Sequence, residues 1–240
     1  AANAAKLVEA QAAARAAKAR AHIASQKRRR YFATAASVCV MVLAVAFMAL
    51  WPRTNQAYQT GIGEQRSVML ADGSRITLNT NSRVRVSYSE ATRTVQLDRG
   101  QAYFRVAKEQ RPFEVKTRNG VVRAVGTAFD VYQRGDGMIV TVAEGTVMVT
   151  DPADRAGSSA QGIPEQAAKM LHAGEQVALA SGTQLELARV ETAPVERSVA
   201  WLGGKLIFDA EPLARAAAEI NRYSSRQVLL GDARLNTLQM

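Results

Sequence analysis

The sequence predicts a mainly β protein: one N-terminal transmembrane helix, then an elongated all-β domain of β-meander or solenoid-like build, then the truncated start of a small α/β unit. Three observations carry this expectation. Residues 32–50 (FATAASVCVMVLAVAFMAL) run for nineteen positions without a charge. Beyond Trp51 apolar residues recur at every second position in short runs parted by turn signals, the period of strands with one buried face. After Pro194 the pattern changes to strand, helix, strand.

The uncharged run, as a helix rising about 1.5 Å per residue, is roughly 28 Å long and matches a hydrocarbon core of roughly 30 Å. Tyr31 and Trp51 bracket it at the interfacial positions that amphipathic aromatics prefer, and Pro52 and Arg53 end it. Lys27, Arg28, Arg29 and Arg30 abut one end, whereas Arg53 is the charge nearest the other. Cationic flanks stay cytoplasmic, so the N-terminus is expected inside. Ala44-Val45-Ala46 has the small-x-small form of a signal-peptide cleavage site, but it lies within the apolar run and behind a long leader, which favours an uncleaved anchor. Arg29-Arg30-Tyr31-Phe32 resembles a twin-arginine export signal; simple charge anchoring accounts for the same residues, and both readings stand.

The formal charge of +10 is concentrated in the leader, where Lys6, Arg15, Lys18, Arg20 and Lys27 to Arg30 face the single acid Glu9. A basic balance confined to a leader is a topology signal rather than a nucleic-acid surface, and the aromatics that stack on bases are absent there. Residues 1–25 are rich in Ala, Lys, Arg and Gln with neither Gly nor Pro, so they are expected to be helical. The start at Ala1 without methionine suggests that a longer cytoplasmic domain precedes it. The lone Cys39 excludes an intrachain disulfide, and His22 and His172 fall on opposite sides of the apolar run and cannot share a metal.

Strands are expected over residues 74–78, 83–88, 93–97, 101–106, 128–133, 139–142, 146–150, 176–179 and 184–189. Asp72-Gly73, Asn79 to Asn81, Arg99-Gly100, Asn119-Gly120, Gly135-Asp136-Gly137 and Glu144-Gly145 separate them, and Asn-Gly or Asp-Gly pairs favour tight hairpins. Residues 151–168 (DPADRAGSSAQGIPEQAA) read as a mobile loop. In the C-terminal segment, strands over 205–208 and 227–230 are expected to flank a helix. Pro212 stands at the helix start, and Leu213, Ala217 and Ile220 lie on its core face. Arg215, Glu219 and Arg222 then lie on its other faces.

An ordered set of short motifs runs from Tyr58 to Leu235. Gly63-Glu64, Asp72-Gly73-Ser74, Leu78-Asn79 and Tyr88 open it; Leu97, Gly100, Ala102, Phe104 and Val106 follow. Then come Pro112-Phe113-x-Val115, Gly126-Thr127-x-Phe129-x-Val131, and Val142-x-Glu144-Gly145-x-Val147-x-Val149. Leu171 and Gly174-Glu175 precede Trp201, Gly204, Leu206, Phe208, Pro212-Leu213 and Ile220-Asn221-Arg222-Tyr223. Each is weak alone, but the series in this order resembles the FecR family of iron-dicitrate-type transmembrane sensors.

The resemblance implies a cytoplasmic helical segment over 1–30 that ends an anti-sigma region and a transmembrane helix over 31–51 of the inner membrane. It also implies a periplasmic FecR domain over 52–195 and, over 196–240, the start of a unit similar to the signalling domain of TonB-dependent receptors. The partners it implies are the signalling domain of a TonB-dependent outer-membrane receptor and an extracytoplasmic-function sigma factor. Arg215, Glu219 and Arg222 are the candidate receptor-side residues. No direct nucleic-acid contact, cofactor or metal is expected.

No catalytic residue is expected either. Asp72-Gly73-Ser74 lacks the further ligands or paired His that calcium or nucleophile chemistry needs, and reads as a hairpin turn. Gly61-x-Gly63 and Gly135-x-Gly137 lack the strand-to-helix setting of a phosphate loop. Asp130, Glu144 and Glu175 are the carboxylates that a hydrolase pair would draw on, each at a strand edge or hairpin. Trp201 with Phe208 reads as a core anchor rather than a sugar platform. Two other classes fit the layout, a periplasmic adaptor and a membrane-tethered periplasmic binding protein or enzyme. The first needs a long heptad hairpin and the second a convergent site, and neither is found in the sequence.

Overall fold

The computed structural model describes residues 41–42, 56–150, 168–180, 190–192 and 194–239. The chain divides into two compact units, Ala1–Pro52 and Arg53–Met240. In the first, Met41 and Val42 are helical and exposed. The rest of the expected span, the leader and Lys27, Arg28, Arg29 and Arg30 lie outside the described residues, as do residues 151–167 of the expected loop and the expected strand over 184–189. Among the described residues no helix is long and apolar enough to cross a membrane.

Among the described residues the second unit holds thirteen strands: β1 (Gln56–Gln59), β2 (Arg66–Met69), β3 (Arg75–Leu78), β4 (Arg83–Tyr88), β5 (Arg93–Arg105), β6 (Phe113–Lys116), β7 (Val121–Ala124), β8 (Ala128–Arg134), β9 (Gly137–Glu144), β10 (Thr146–Thr150), β11 (Ala168–His172), β12 (Glu175–Leu179) and β13 (Val190–Thr192). They form one sheet that folds on β5. The first half of β5 pairs with β4 and, in parallel, with β6; its second half pairs with β3 and β8. One limb therefore runs β1-β4-β5-β6-β7-β10-β11 and the other β2-β3-β5-β8-β9-β12-β13. Alternating side chains of both limbs enter one buried cluster. It takes Val84, Val95, Val122 and Val149 from the first limb and Ile76, Phe129, Val140 and Val177 from the second. Phe104 stacks on Phe129 at 5.2 Å and meets Phe113 edge-on at 6.1 Å, the two geometries that ring quadrupoles favour.

The mainly β expectation is met, but the sheet is barrel-like rather than a meander. Successive hairpins β6-β7, β8-β9, β10-β11 and β12-β13 are laid alternately on the two limbs, so β7 pairs with β10 and β9 with β12. Two expected turns prove to be passages between limbs. Arg99-Gly100 does not separate two strands; it bends one strand of thirteen residues. Gly100 has φ +83°, and a Cβ there would lie 2.3 Å from Ser82 Oγ. Likewise Gly145, with φ +80°, carries the chain from β9 on one limb to β10 on the other. Positive φ without steric cost is what glycine supplies at both corners.

After β13 come a single turn, α1 (Val195–Ser198), a 3-10 turn (Ala200–Gly203), α2 (Leu213–Asn221) and a second 3-10 turn (Ala233–Thr237). The strands expected over 205–208 and 227–230 do not form. Lys205 N instead donates back to Ala200 O at 3.2 Å. The Asn221 side chain takes both backbone groups of Val228, accepting from its N at 2.7 Å and donating to its O at 2.9 Å. A side chain has replaced the strand partner, satisfying the same groups locally. Helix α2 buries Ala216 and Ala217, while Leu213 is half-buried and Ile220 exposed, so its inner face is narrower than the spacing suggests.

Candidate functional site

The outer face of the second limb carries polar side chains at alternate positions, because the intervening ones fill the core. Gln101 on β5 and Asp130 and Tyr132 on β8 stand there, with Asn79 and Thr80 at the end of β3, and the C-terminal segment lies across them. Gln101 Nε2 donates to Asp130 Oδ2 at 2.9 Å, and Trp201 Nε1 donates to Asp130 Oδ1 at 3.3 Å. Asn79 Nδ2 donates to Gln101 Oε1 at 2.9 Å and to the Tyr223 hydroxyl at 2.7 Å. Thr80 Oγ1 donates to Arg222 O at 3.0 Å, and Gln65 Nε2 to Trp201 O at 2.9 Å.

Arg222 binds this seam hardest. Its guanidinium lies 4.0 Å from the centre of the Tyr132 ring, reaches Gln101 Oε1 at 3.2 Å and pairs with Glu219; Glu219 also accepts a 3.4 Å bond from the Tyr132 hydroxyl. Stacking a guanidinium on an aromatic face while its N–H groups find oxygen is a geometry open to Arg and not to Lys. Burial raises the Asp130 carboxyl to about 7 against the opposing pull of Gln101, Trp201 and Arg222. Burial likewise pushes the Tyr132 phenol up to about 12. A cavity of about 180 Å³ opens between Asp130, Tyr132, Thr141, Trp201, Phe208 and Glu219.

The expected site residues thus have unlike placements. Arg215 is exposed and pairs with Glu211 at 3.1 Å, as an outer-face residue should. Glu219 and Arg222 are turned onto the β unit, with side chains only 23% and 17% exposed. Trp201 is buried against Asp130, the anchor role expected of it. Asp130, Glu144 and Glu175 are not brought together: Asp130 is buried at the seam, Glu144 is exposed, and Glu175 caps its own turn by accepting from His172 N at 2.7 Å. Among the described residues no group of three His, Cys, Asp or Glu is placed to hold a metal ion.

Asp72-Gly73-Ser74 forms the β2-β3 hairpin, with Gly73 N donating to Leu70 O at 3.0 Å. Its acid does more than turn the chain. Asp72 accepts from Ser74 Oγ at 2.6 Å, Tyr88 Oη at 2.9 Å and Arg93 Nη1 at 2.7 Å, and Arg93 is fully buried over the Phe113 ring. Sequence reasoning missed Arg93, because an arginine at the start of an alternating run looks like any solvent-facing strand residue. It missed Gln101 for the same reason and Thr80 because it falls within the expected Asn79 to Asn81 turn, although Asn79 and Arg222, which meet them, belong to the motif series.

Residues 56–148 match the family model described as FecR protein. Two crystal structures of a candidate anti-sigma factor from Parabacteroides distasonis ATCC 8503, at 2.50 and 1.65 Å, are similar to this chain. Each is 26% identical with a TM-score of 0.58, over 70% of this chain and 74% of that one. None of the curated proteins matches the sequence.

Proposed function

We propose that this chain, whose residues 56–148 match the FecR family model, is a membrane-anchored anti-sigma regulator that relays a signal from a TonB-dependent outer-membrane receptor to an extracytoplasmic-function sigma factor. The observation that carries the reading is the joint one: the FecR match falls on the β unit, and the similar solved structures are described as a candidate anti-sigma factor. The uncharged run over 32–50 and the basic block Lys27, Arg28, Arg29 and Arg30 support anchoring in the inner membrane, N-terminus inside, because each such charge costs about 2.5 to 3.5 kcal/mol at the bilayer centre. The β unit and the C-terminal segment then lie in the periplasm, on the side where a receptor's signalling domain can reach them. No enzymatic step is assigned, since the polar groups at the seam hold one another.

The test is transcription from the sigma factor's own promoter in cells with and without the gene. An anti-sigma regulator makes deletion raise, or unlink from ligand, the output of that promoter; identical ligand response in both strains overturns the reading. Alkaline phosphatase fused after Arg53 is expected to be active and a fusion at Ser25 inactive. The reverse pattern removes the membrane arrangement while leaving the sigma-factor assay to stand by itself.

A further inference from the structure

The carboxylate at the seam sits where a hydrophobic or neutral side chain would dock a segment more simply. Asp130 projects from β8 toward the C-terminal segment, is 3% exposed, and receives one bond from its own limb (Gln101) and one from the segment (Trp201). The segment contributes Trp201, which hydrogen-bonds to it, and Glu219, Arg222 and Tyr223, which stand close enough to act on its charge. Lifting the segment therefore exposes Asp130, and seating it buries Asp130 again. We propose that Asp130 makes this docking proton-dependent, so that residues 194–239 are held on the β unit more tightly in mildly acidic than in mildly alkaline surroundings. The proposal stands on the seam and does not require the anti-sigma reading.

The groups facing Asp130 decide the sign. β5 places Gln101 and the phenol of Tyr103 opposite it, and β9 places Thr141. The segment brings Arg222, which favours the ionised form, and Glu219, which opposes it; Tyr223 is the other titratable group close by. Arg134, Arg197, Glu211 and Arg215 stand further round the cavity. Arg222 is already committed to Glu219 and to the Tyr132 ring, so desolvation of Asp130 prevails and its pKa rises to about 7. An exposed Asp titrates near about 4. Between those values the docked form binds more protons than the undocked one, so docking strengthens as pH falls through about 7 and weakens as pH rises through it. With these two pKa values docking is about tenfold tighter at pH 6 than at pH 8.

Amide hydrogen exchange in the full chain reads this directly. After correction for the intrinsic pH dependence of exchange, the amides of Ala216 and Ala217 are expected to be about tenfold less protected at pH 8 than at pH 6, while those of Phe104 and Val140 in the core do not change. Asp130→Asn is expected to abolish the step, and Glu219→Gln, which frees Arg222 to favour the ionised carboxylate, to move it to lower pH. In the unaltered chain the carboxyl carbon of Asp130 is expected to titrate near 7, which decides the matter even where Asp130→Asn fails to dock. Equal protection at the two pH values, a step that survives Asp130→Asn or moves to higher pH in Glu219→Gln, or titration of Asp130 near about 4 would each overturn the proposal.

Discussion

Asp72 and Asp130 both bury their carboxylates near an arginine, and their environments drive them in opposite directions. Burial raises the Asp72 carboxyl, but hydrogen bonds from Ser74 Oγ, Arg93, Ser74 N and Tyr88 outweigh it and leave the group below its ordinary value. Asp130 has two donors and no arginine in direct contact, so burial prevails. Asp72 is therefore an acid whose charge holds the fold. Its partner Arg93 also donates to Ala107 O at 3.1 Å and Arg111 O at 2.8 Å, and with Asp72 removed the buried guanidinium keeps as counterion the more distant, part-exposed Glu109 at 3.8 Å. Breaking such a pair costs about 3 kcal/mol or more, so Asp72→Ala should lower the urea midpoint markedly at pH 7. Because the folded pKa is depressed, the stabilisation is complete above the ordinary Asp value of about 4 and is lost as pH falls through the folded value. The gap between wild type and variant should accordingly narrow in acid. Substituting both partners, as Asp72→Ala with Arg93→Met, should recover part of the loss. Equal midpoints for wild type and Asp72→Ala at pH 7 would show that the pair carries nothing.

At the scale of elements the corners decide the architecture. Gly100 lets β5 belong to both limbs, and adding a Cβ there collides with Ser82 Oγ at 2.3 Å, Ser82 Cα at 2.6 Å and Asn81 O at 2.8 Å. Gly100→Ala should therefore cost more than the about 1 to 2 kcal/mol of a left-handed alanine alone. Gly135→Ala, in the β8-β9 turn with φ +54° and open space around it, should cost no more than that; comparable thermal shifts for the two would refute the corner role of Gly100. This contrast also marks how far the sequence was legible. Period-two alternation located β4 and β10 at their observed bounds, and Asp72-Gly73 and Asn119-Gly120 were hairpins as expected. The alternation records only that one face is buried, so it could not tell a turn within a limb from a passage between limbs: Gly100 bends one continuous strand, whereas Glu144-Gly145 does part β9 from β10 as expected. The tail failed for another reason: a strand needs a partner, and over 227–230 Asn221 takes the partner's place at Val228. The motif residues Trp201, Arg222 and Tyr223 were visible as a set, but the surface they dock on was not, since Gln101 and Asp130 alternate like ordinary exposed positions.

For the whole molecule, the placement of the tail changes which charge can report on a partner. Glu219 and Arg222, at the end of α2, bond to the β unit, whereas Arg215 stands at the cavity rim with a side chain 59% exposed and pairs with Glu211. Reversing Arg222 puts a carboxylate against Glu219, removes the cation from the Tyr132 ring and leaves Gln101 without one donor, so Arg222→Glu should loosen the tail itself. Arg215→Glu should leave the tail seated, because exposed i,i+4 pairs contribute about 0.3 to 0.5 kcal/mol, and exposed charges act on association more than on folding. If the segment from Trp201 onward is the receiving surface, two defects should separate. Arg215→Glu should slow binding of the receptor's signalling domain with normal hydrogen-exchange protection of Ala216 and Ala217. Arg222→Glu should lower that protection and disturb ligand-dependent transcription by displacing the whole surface. Deleting residues 201–240 should abolish the ligand response. A normal response in the deletion strain would remove the segment from signal reception, and undiminished binding in Arg215→Glu would remove the outer face of α2 from the interface while leaving the seam to explain why Arg222 stands where it does.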